Sequence, residues 1–246
     1  MKVAFKYFSF RRSFILSSML KTKFETYKEL LGKIDREGVW PMIVVDGVVG
    51  VGKSTLMNIL AERGLTAFAE PVVDNPILEK FYYDRARYAF PLQVFFLNKR
   101  FKHIKEAATK GNCVLDRSIY GDVIFAKMLC DKGEMTEEEF ELYKELLENM
   151  LEHVKAPKLM IYLEATVDEA MRRIKKRGRD YEQVVERAYW EELNSEYKTY
   201  FDAYDVSPIL RINVDGLDFE NVKEDREKVL NLIDEKLKEI EEGLAE

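Results

Sequence analysis

The chain of 246 residues predicts an α/β fold, a three-layer sandwich with a five-stranded parallel sheet flanked by helices. Two observations carry this. Five short runs rich in Val, Ile and Leu, at residues 42–46, 65–69, 112–116, 158–163 and 209–214, suit strands covered on both faces. Between them lie segments with apolar residues at i, i+3 and i+4, at 56–63, 92–108, 140–151 and 167–176. These read as helices that pack back onto the sheet. A last amphipathic stretch, 219–244, places Val222, Val229, Leu232, Ile233, Leu237 and Ile240 on a Glu/Lys-rich background and reads as a closing helix. No internal repeat or low-complexity linker divides the chain.

Composition narrows the classes. Hydrophobic residues make up 47% and charged residues 34%, with a formal net charge of −6. That balance fits a globular protein and argues against non-specific nucleic-acid binding, which needs a basic surface. Two cysteines, Cys113 and Cys130, form no metal or redox spacing, so a reducing compartment, the cytoplasm, is expected. No run approaches the length of a transmembrane helix, and no membrane partner is expected. The first residues differ from the rest: Lys2, Lys6, Arg11, Arg12, Lys21 and Lys23 precede the first acid, Glu25. Residues 1–37 are therefore read as a basic N-terminal extension ahead of a domain at 38–246. A surface helix is the first reading of that extension, and a mitochondrial-type transit segment is the alternative. After Arg11-Arg12 the apolar stretch is broken by Ser17, Ser18 and Lys21, too early for an export signal.

The run at 42–46 is followed by Gly47-Val48-Val49-Gly50-Val51-Gly52-Lys53-Ser54, and then by a helical pattern. This is the context in which a GxxxxGKS segment binds phosphate. Gly47, Gly50 and Gly52 let the backbone curl until its N–H groups converge on an anion, and the helix start adds a favourable dipole. Lys53 is placed to bridge the terminal phosphates, Ser54 to ligate Mg²⁺, and Thr55 to extend the same first turn. A second run ends in Asp116-Arg117-Ser118. A carboxylate at a strand end beside such a loop is where the second metal-linked ligand is expected. Taken alone, Asp116 could equally cap the next helix.

The run at 65–69 leads into Glu70-Pro71, so Glu70 is expected at the mouth of the crevice, within reach of an acceptor hydroxyl. Downstream, Arg172-Arg173-Ile174-Lys175-Lys176-Arg177-Gly178-Arg179 carries six basic residues. Arg173 and Arg177 share a helix face, Gly178 stops the helix, and Arg179 lies just beyond. A lid of movable arginines over a transferring phosphoryl group accounts for six charges better than a complement to the helix dipole does.

In order along the chain, GVVGVGKS, the Glu70-Pro71 pair, FYYDRARYAFPLQVFFLNKR, DRSIYGD and RIKKRGRDYEQ resemble the deoxyribonucleoside kinase family over residues 42–219. The resemblance implies a P-loop kinase fold with an arginine-bearing lid. It also implies transfer of the γ-phosphate of ATP, with Mg²⁺, to the 5′-hydroxyl of a deoxynucleoside in nucleotide salvage, and a homodimer. It makes Glu70 the base on the 5′-hydroxyl and places Arg117 near the 5′-oxygen. Gln93 becomes the reader of the nucleobase edge, with Arg100 and Asp122 as a polar pair at its far end. Tyr82 and Glu182 become partners of the 3′-hydroxyl, and Arg173, Arg177 and Arg179 the lid arginines. The residues are compatible with this: Gln93 and Arg100 lie two helical turns apart, on a face that also carries Phe96 and Leu97. By sequence Tyr83 is as good a candidate as Tyr82. Asp116 stands where animal members commonly carry glutamate. Aspartate there, with a KKRGRDYEQ lid, is the pattern of bacterial purine-preferring members, so deoxyadenosine/deoxyguanosine kinases are the nearest branch. The competing expectation is a thymidylate-kinase-like enzyme, whose acceptor already bears a phosphate.

Overall fold

The structure, a computed structural model, describes residues 21, 25–29, 35–70, 72, 75–179, 182 and 185–243. Most of the basic N-terminal segment, including Arg11-Arg12, lies outside the described residues. All five expected strands form: β1 (Asp35–Gly47), β2 (Thr66–Phe68), β3 (Cys113–Asp116), β4 (Lys155–Glu164) and β5 (Ile209–Asn213). They pair in parallel in the order β2-β3-β1-β4-β5. The helices are α1 (Lys53–Glu62), α2 (Leu78–Tyr83), α3 (Arg85–Lys110), α4 (Val123–Asp131), α5 (Glu137–Leu151), α6 (Val167–Arg177), α7 (Arg187–Ala203) and α8 (Lys223–Gly243).

The central strands are covered on both faces, as their apolar runs require: Val44, Val45, Leu159, Met160, Ile161 and Leu163 are inaccessible to solvent. The edges depart from that expectation. Thr66 and Ala67 of β2 are exposed, and of β5 only Ile212 is buried. Helix α1 buries Leu56, Ile59 and Leu60, each contributing about 2 kcal/mol through area removed from water. Start signals are local and legible: Thr136 and Glu139 close a capping box on α5, and Thr166 accepts the Glu169 N–H at the start of α6. The closing helix begins at Lys223 rather than 219, because the Asp218 side chain accepts the Asn221 N–H and forms a turn before it. That turn tucks Phe219 beneath the phosphate loop, where it is buried.

Two described pieces of the expected extension touch the domain. Strand β1 starts at Asp35, opposite Lys155. Residues 25–29 are helical, and Tyr27 within them is fully buried. Its hydroxyl donates to the buried Glu196 at 2.9 Å, and its ring meets Tyr200 edge-on. Among the described residues no helix is long and apolar enough to cross a membrane.

Candidate active site

Parallel register brings the chemistry to one edge. Val45 is level with Asp116 across β1 and β3, and Phe68 is level with Leu115 across β2 and β3. The segments after β1, β2 and β3 therefore open onto one crevice at the carboxyl ends of the strands, where open α/β sheets bind ligands. A cavity of about 700 Å³ occupies it. Of the site residues expected from sequence, all but Gly47 and Asp122 line this cavity. Gly47 lies at the base of the loop, and Asp122 sits behind Arg100. Tyr82 lines the cavity whereas Tyr83 is 84% exposed, which separates two candidates that sequence left equal.

The phosphate end is a curled loop with positive φ at Gly47, Gly50 and Gly52. At Gly50 (φ 90°) an added Cβ would sit 2.6 Å from the Ala170 carbonyl of α6, so the loop is pressed against that helix and only glycine fits. Lys53 is buried, and its Nζ donates to the Gly47 and Val48 carbonyls at 2.9 and 2.8 Å. Burial above all, with the nearby Arg117 cation, pulls the Lys53 ammonium down to about 8. Ser54 Oγ donates to Asp116 Oδ2 at 3.4 Å, and Asp116 Oδ1 is buried without a hydrogen-bond partner. Burial pushes the Asp116 carboxyl up, against the pull of Lys53.

The centre of the site is an ion network. Glu70 Oε1 accepts from Arg117 Nη1 at 2.5 Å and from Arg100 Nη2 at 2.8 Å. Burial works to raise the Glu70 carboxyl, but Arg117 and Arg100 outweigh it and hold it at about 2. Arg100 also ion-pairs with the buried Asp122, so the far polar pair and the expected base belong to one network. Arg117 adopts φ 58°, a left-handed conformation uncommon for a residue with a Cβ. Its Nε donates to Tyr197 Oη at 3.0 Å, and its guanidinium lies 5.3 Å from the Phe125 ring centroid.

Beyond Glu70 the cavity becomes apolar, lined by Phe81, Leu92, Phe96, Phe125, Leu129 and Trp190. The buried Gln93 projects into it one helical turn before Phe96, over whose ring Arg100 lies at 4.9 Å. A concave, mostly apolar slot with a few polar groups is the form of a small-molecule site. On the lid side, Arg177 Nη2 donates to both Glu182 oxygens at 2.6–2.7 Å, and Arg179 lies 3.4 Å from the same carboxylate. Arg173 differs. One turn earlier on α6 it faces the phosphate loop, and its guanidinium is taken up by backbone carbonyls.

Sequence reasoning passed over several contributors. Asp46, next to last in β1, is buried, accepts the Gly47 N–H at 2.7 Å and lies 3.7 Å from Arg117; an acid closing an apolar run is its only sequence signal. Tyr197 reads as a core aromatic and shows its polar role only in three dimensions. Arg85, held by two contacts of 2.8 Å to Glu134, packs on Phe81 and Tyr189 to form part of the wall.

Known proteins similar to this chain are of one kind. The family model for deoxynucleoside kinases matches residues 43–238. A deoxyguanosine kinase of Lactobacillus johnsonii is 45% identical over 209 residues, spanning 81% of this chain and 93% of that protein. A deoxyadenosine/deoxycytidine kinase of Bacillus subtilis is 40% identical over 199 residues, covering 79% and 90%. The solved structure of a deoxyadenosine kinase from M. mycoides with products dCMP and a flexible dCDP bound superposes with a TM-score of 0.71 at 31% identity, covering 79% of this chain and 99% of that one. A thymidylate-kinase-like assignment is not favoured by these matches. With a phosphate loop, a carboxylate and an apolar slot in one crevice, and such relatives along most of its length, the chain belongs to the deoxynucleoside kinase family, whose members are ATP-dependent phosphotransferases.

Proposed function

We propose that this enzyme phosphorylates purine deoxynucleosides, deoxyguanosine and deoxyadenosine, with Glu70 as the group that accepts the 5′-hydroxyl proton. One observation carries the residue assignment: Glu70 lies between the Lys53 end and the apolar slot of a single cavity, charged and fixed by two guanidiniums. Held at about 2, it is ionised at every physiological pH and so always able to orient a hydroxyl. A loose phosphoryl-transfer transition state asks for orientation more than for a strong base. The oxygen of the 5′-hydroxyl attacks the γ-phosphorus, the bond to the β-bridging oxygen breaks, ADP leaves, and the hydroxyl proton passes to Glu70. Lys53 and the lid arginines Arg177 and Arg179 balance charge on the moving phosphoryl oxygens.

The donor set also fits Mg²⁺. Ser54 and Asp116 face each other, and Asp116 keeps one buried oxygen without a hydrogen-bond partner. Mg²⁺ characteristically takes one or two protein ligands and completes its shell with phosphates and water. When bound, it would neutralise charge on the β- and γ-phosphates. Tyr82 and Glu182 are assigned to the 3′-hydroxyl, and Gln93 to the purine edge. The purine assignment draws support from relatives named deoxyguanosine kinase at 45% identity and deoxyadenosine kinase at 42%. Homodimerisation and a cytoplasmic location in nucleotide salvage complete the reading. Burial of Tyr27 supports counting residues from 25 onward with the kinase domain.

A phosphate-transfer assay from ATP to deoxyguanosine, deoxyadenosine, deoxycytidine and thymidine tests the assignment. Purines are expected to be preferred, and Gln93→Ala is expected to change the ranking. A ranking led by thymidine, or unchanged in the Gln93 variant, refutes it.

A further inference from the structure

We infer that Arg173 is a positioning residue, a strut that aims the phosphate-loop amides, and that it acts on phosphate binding without touching the phosphates. The inference rests on the phosphate-loop reading of residues 47–54. Sequence spacing groups Arg173 with the lid arginines, but its surroundings separate it from them. Its guanidinium makes four hydrogen bonds: Nε to Glu169 at 2.6 Å, Nη1 to the Val51 carbonyl at 2.9 Å, and Nη2 to the Val214 and Leu217 carbonyls, both at 2.8 Å. Its side chain is 15% exposed, against 35% for Arg177 and 42% for Arg179.

The bond to Val51 matters most. A trans peptide is planar, so its C=O and N–H point in opposite directions. No described peptide bond is cis, so the Val51 carbonyl and the Gly52 N–H form such an antiparallel pair. With the Val51 carbonyl taken by Arg173, the Gly52 N–H points away from the guanidinium and stays free for a ligand in the cavity that Gly52, Lys53, Ser54 and Arg173 all line. Gly52 holds φ 101°, a region that glycine shares with several competing conformations. Without the strut, this peptide plane has little to prevent rotation. The same guanidinium ties the loop to the turn between β5 and α8, whose Phe219 closes the space behind Gly52: a Cβ there would lie 2.7 Å from the Phe219 ring and 3.3 Å from Arg173 Nη1. A planar fork can satisfy three carbonyls and a carboxylate together, whereas a lysine ammonium has one centre and cannot span them.

The contrast with a lid arginine is measurable, because amides aimed at the loop serve ADP and ATP alike, while a lid arginine on the γ-phosphate serves only ATP. Calorimetric titration of ADP and of a non-hydrolysable ATP analogue into the full chain and its Arg173→Gln variant is the test. Both affinities are expected to fall by the same factor, about tenfold, the effect of one charge-assisted hydrogen bond. Deoxynucleoside affinity is expected to hold, and Arg173→Lys should not rescue. The Gly52 amide proton should move downfield on ADP binding in the wild type and much less in Arg173→Gln. Loss confined to the ATP analogue, unchanged ADP affinity, or full rescue by Arg173→Lys overturns the strut. If Arg173→Gln does not fold, Glu169→Ala, which removes the acceptor from Nε and leaves the three carbonyl bonds, should weaken both nucleotides equally and by less; unequal or absent loss there overturns it too. A wild type that binds no ADP would refute the phosphate-loop reading itself.

Discussion

Glu70→Gln keeps the shape of the side chain and removes the charge against which two guanidiniums are set. A carboxyl held at about 2 instead of 4.5 has its ionised form favoured in the fold by about 3 kcal/mol. Not all of this is lost, because Arg117 retains Asp46 and Tyr197, and Arg100 retains Asp122. The expected loss of stability at pH 7 is therefore about 1–2 kcal/mol, or about 2–8 °C in Tm for a chain of this size. Turnover is expected to fall by about 10²–10⁴, the usual contribution of a positioned base. The pH dependence fixes the cause. A depressed carboxyl stabilises fully above its unfolded value and loses that contribution as pH falls through the folded one. The gap between wild type and variant should thus stay constant from pH 8 to about 5 and narrow below 4.5. Urea denaturation at pH 4, 5 and 7, paired with the transfer assay, measures both. Equal stability at pH 7, a gap that widens on acidification, or near-wild-type turnover would refute the reasoning.

Two further outcomes follow from the phosphate end. Lys53, lowered to about 8, carries its charge below that pH and loses it above; ADP affinity should therefore decline as pH rises through 8, and calorimetry that stays flat to pH 9.5 would contradict this. Gly50→Ala forces a Cβ toward the Ala170 carbonyl at φ 90° and should cost about 2 kcal/mol; a thermal melt showing no loss would mean that the loop and α6 separate freely.

The sheet was legible because the part of a strand buried on both faces must be apolar, and β1 at 42–45, β3 at 113–115 and β4 at 159–163 are. The reactive groups were legible wherever chain order alone puts them at a strand end: Glu70 after β2, Asp116 at the end of β3, and the glycine loop after β1. Contacts with backbone atoms were not. Arg173 and Arg177 look alike at a spacing of four, and nothing in that spacing says that carbonyls at 51, 214 and 217 await one and not the other. Tyr27 was hidden for a related reason: its partner Glu196 lies 169 residues away, and the basic composition around it suggested a separate segment. Asp46 gave only a faint signal, since a single acid at the end of an apolar run more often marks a turn.

The left-handed backbone at Arg117 also bears on how the enzyme can change. Glycine would relieve that conformation by about 1 kcal/mol, yet it would remove the guanidinium that holds Glu70, Tyr197 and the Phe125 face in register. The position thus accepts a small backbone cost in return for a larger pairing of buried charge. Screens that select only for heat resistance would keep the arginine, because Glu70 and Asp46 left buried without it would cost more than the relieved backbone returns.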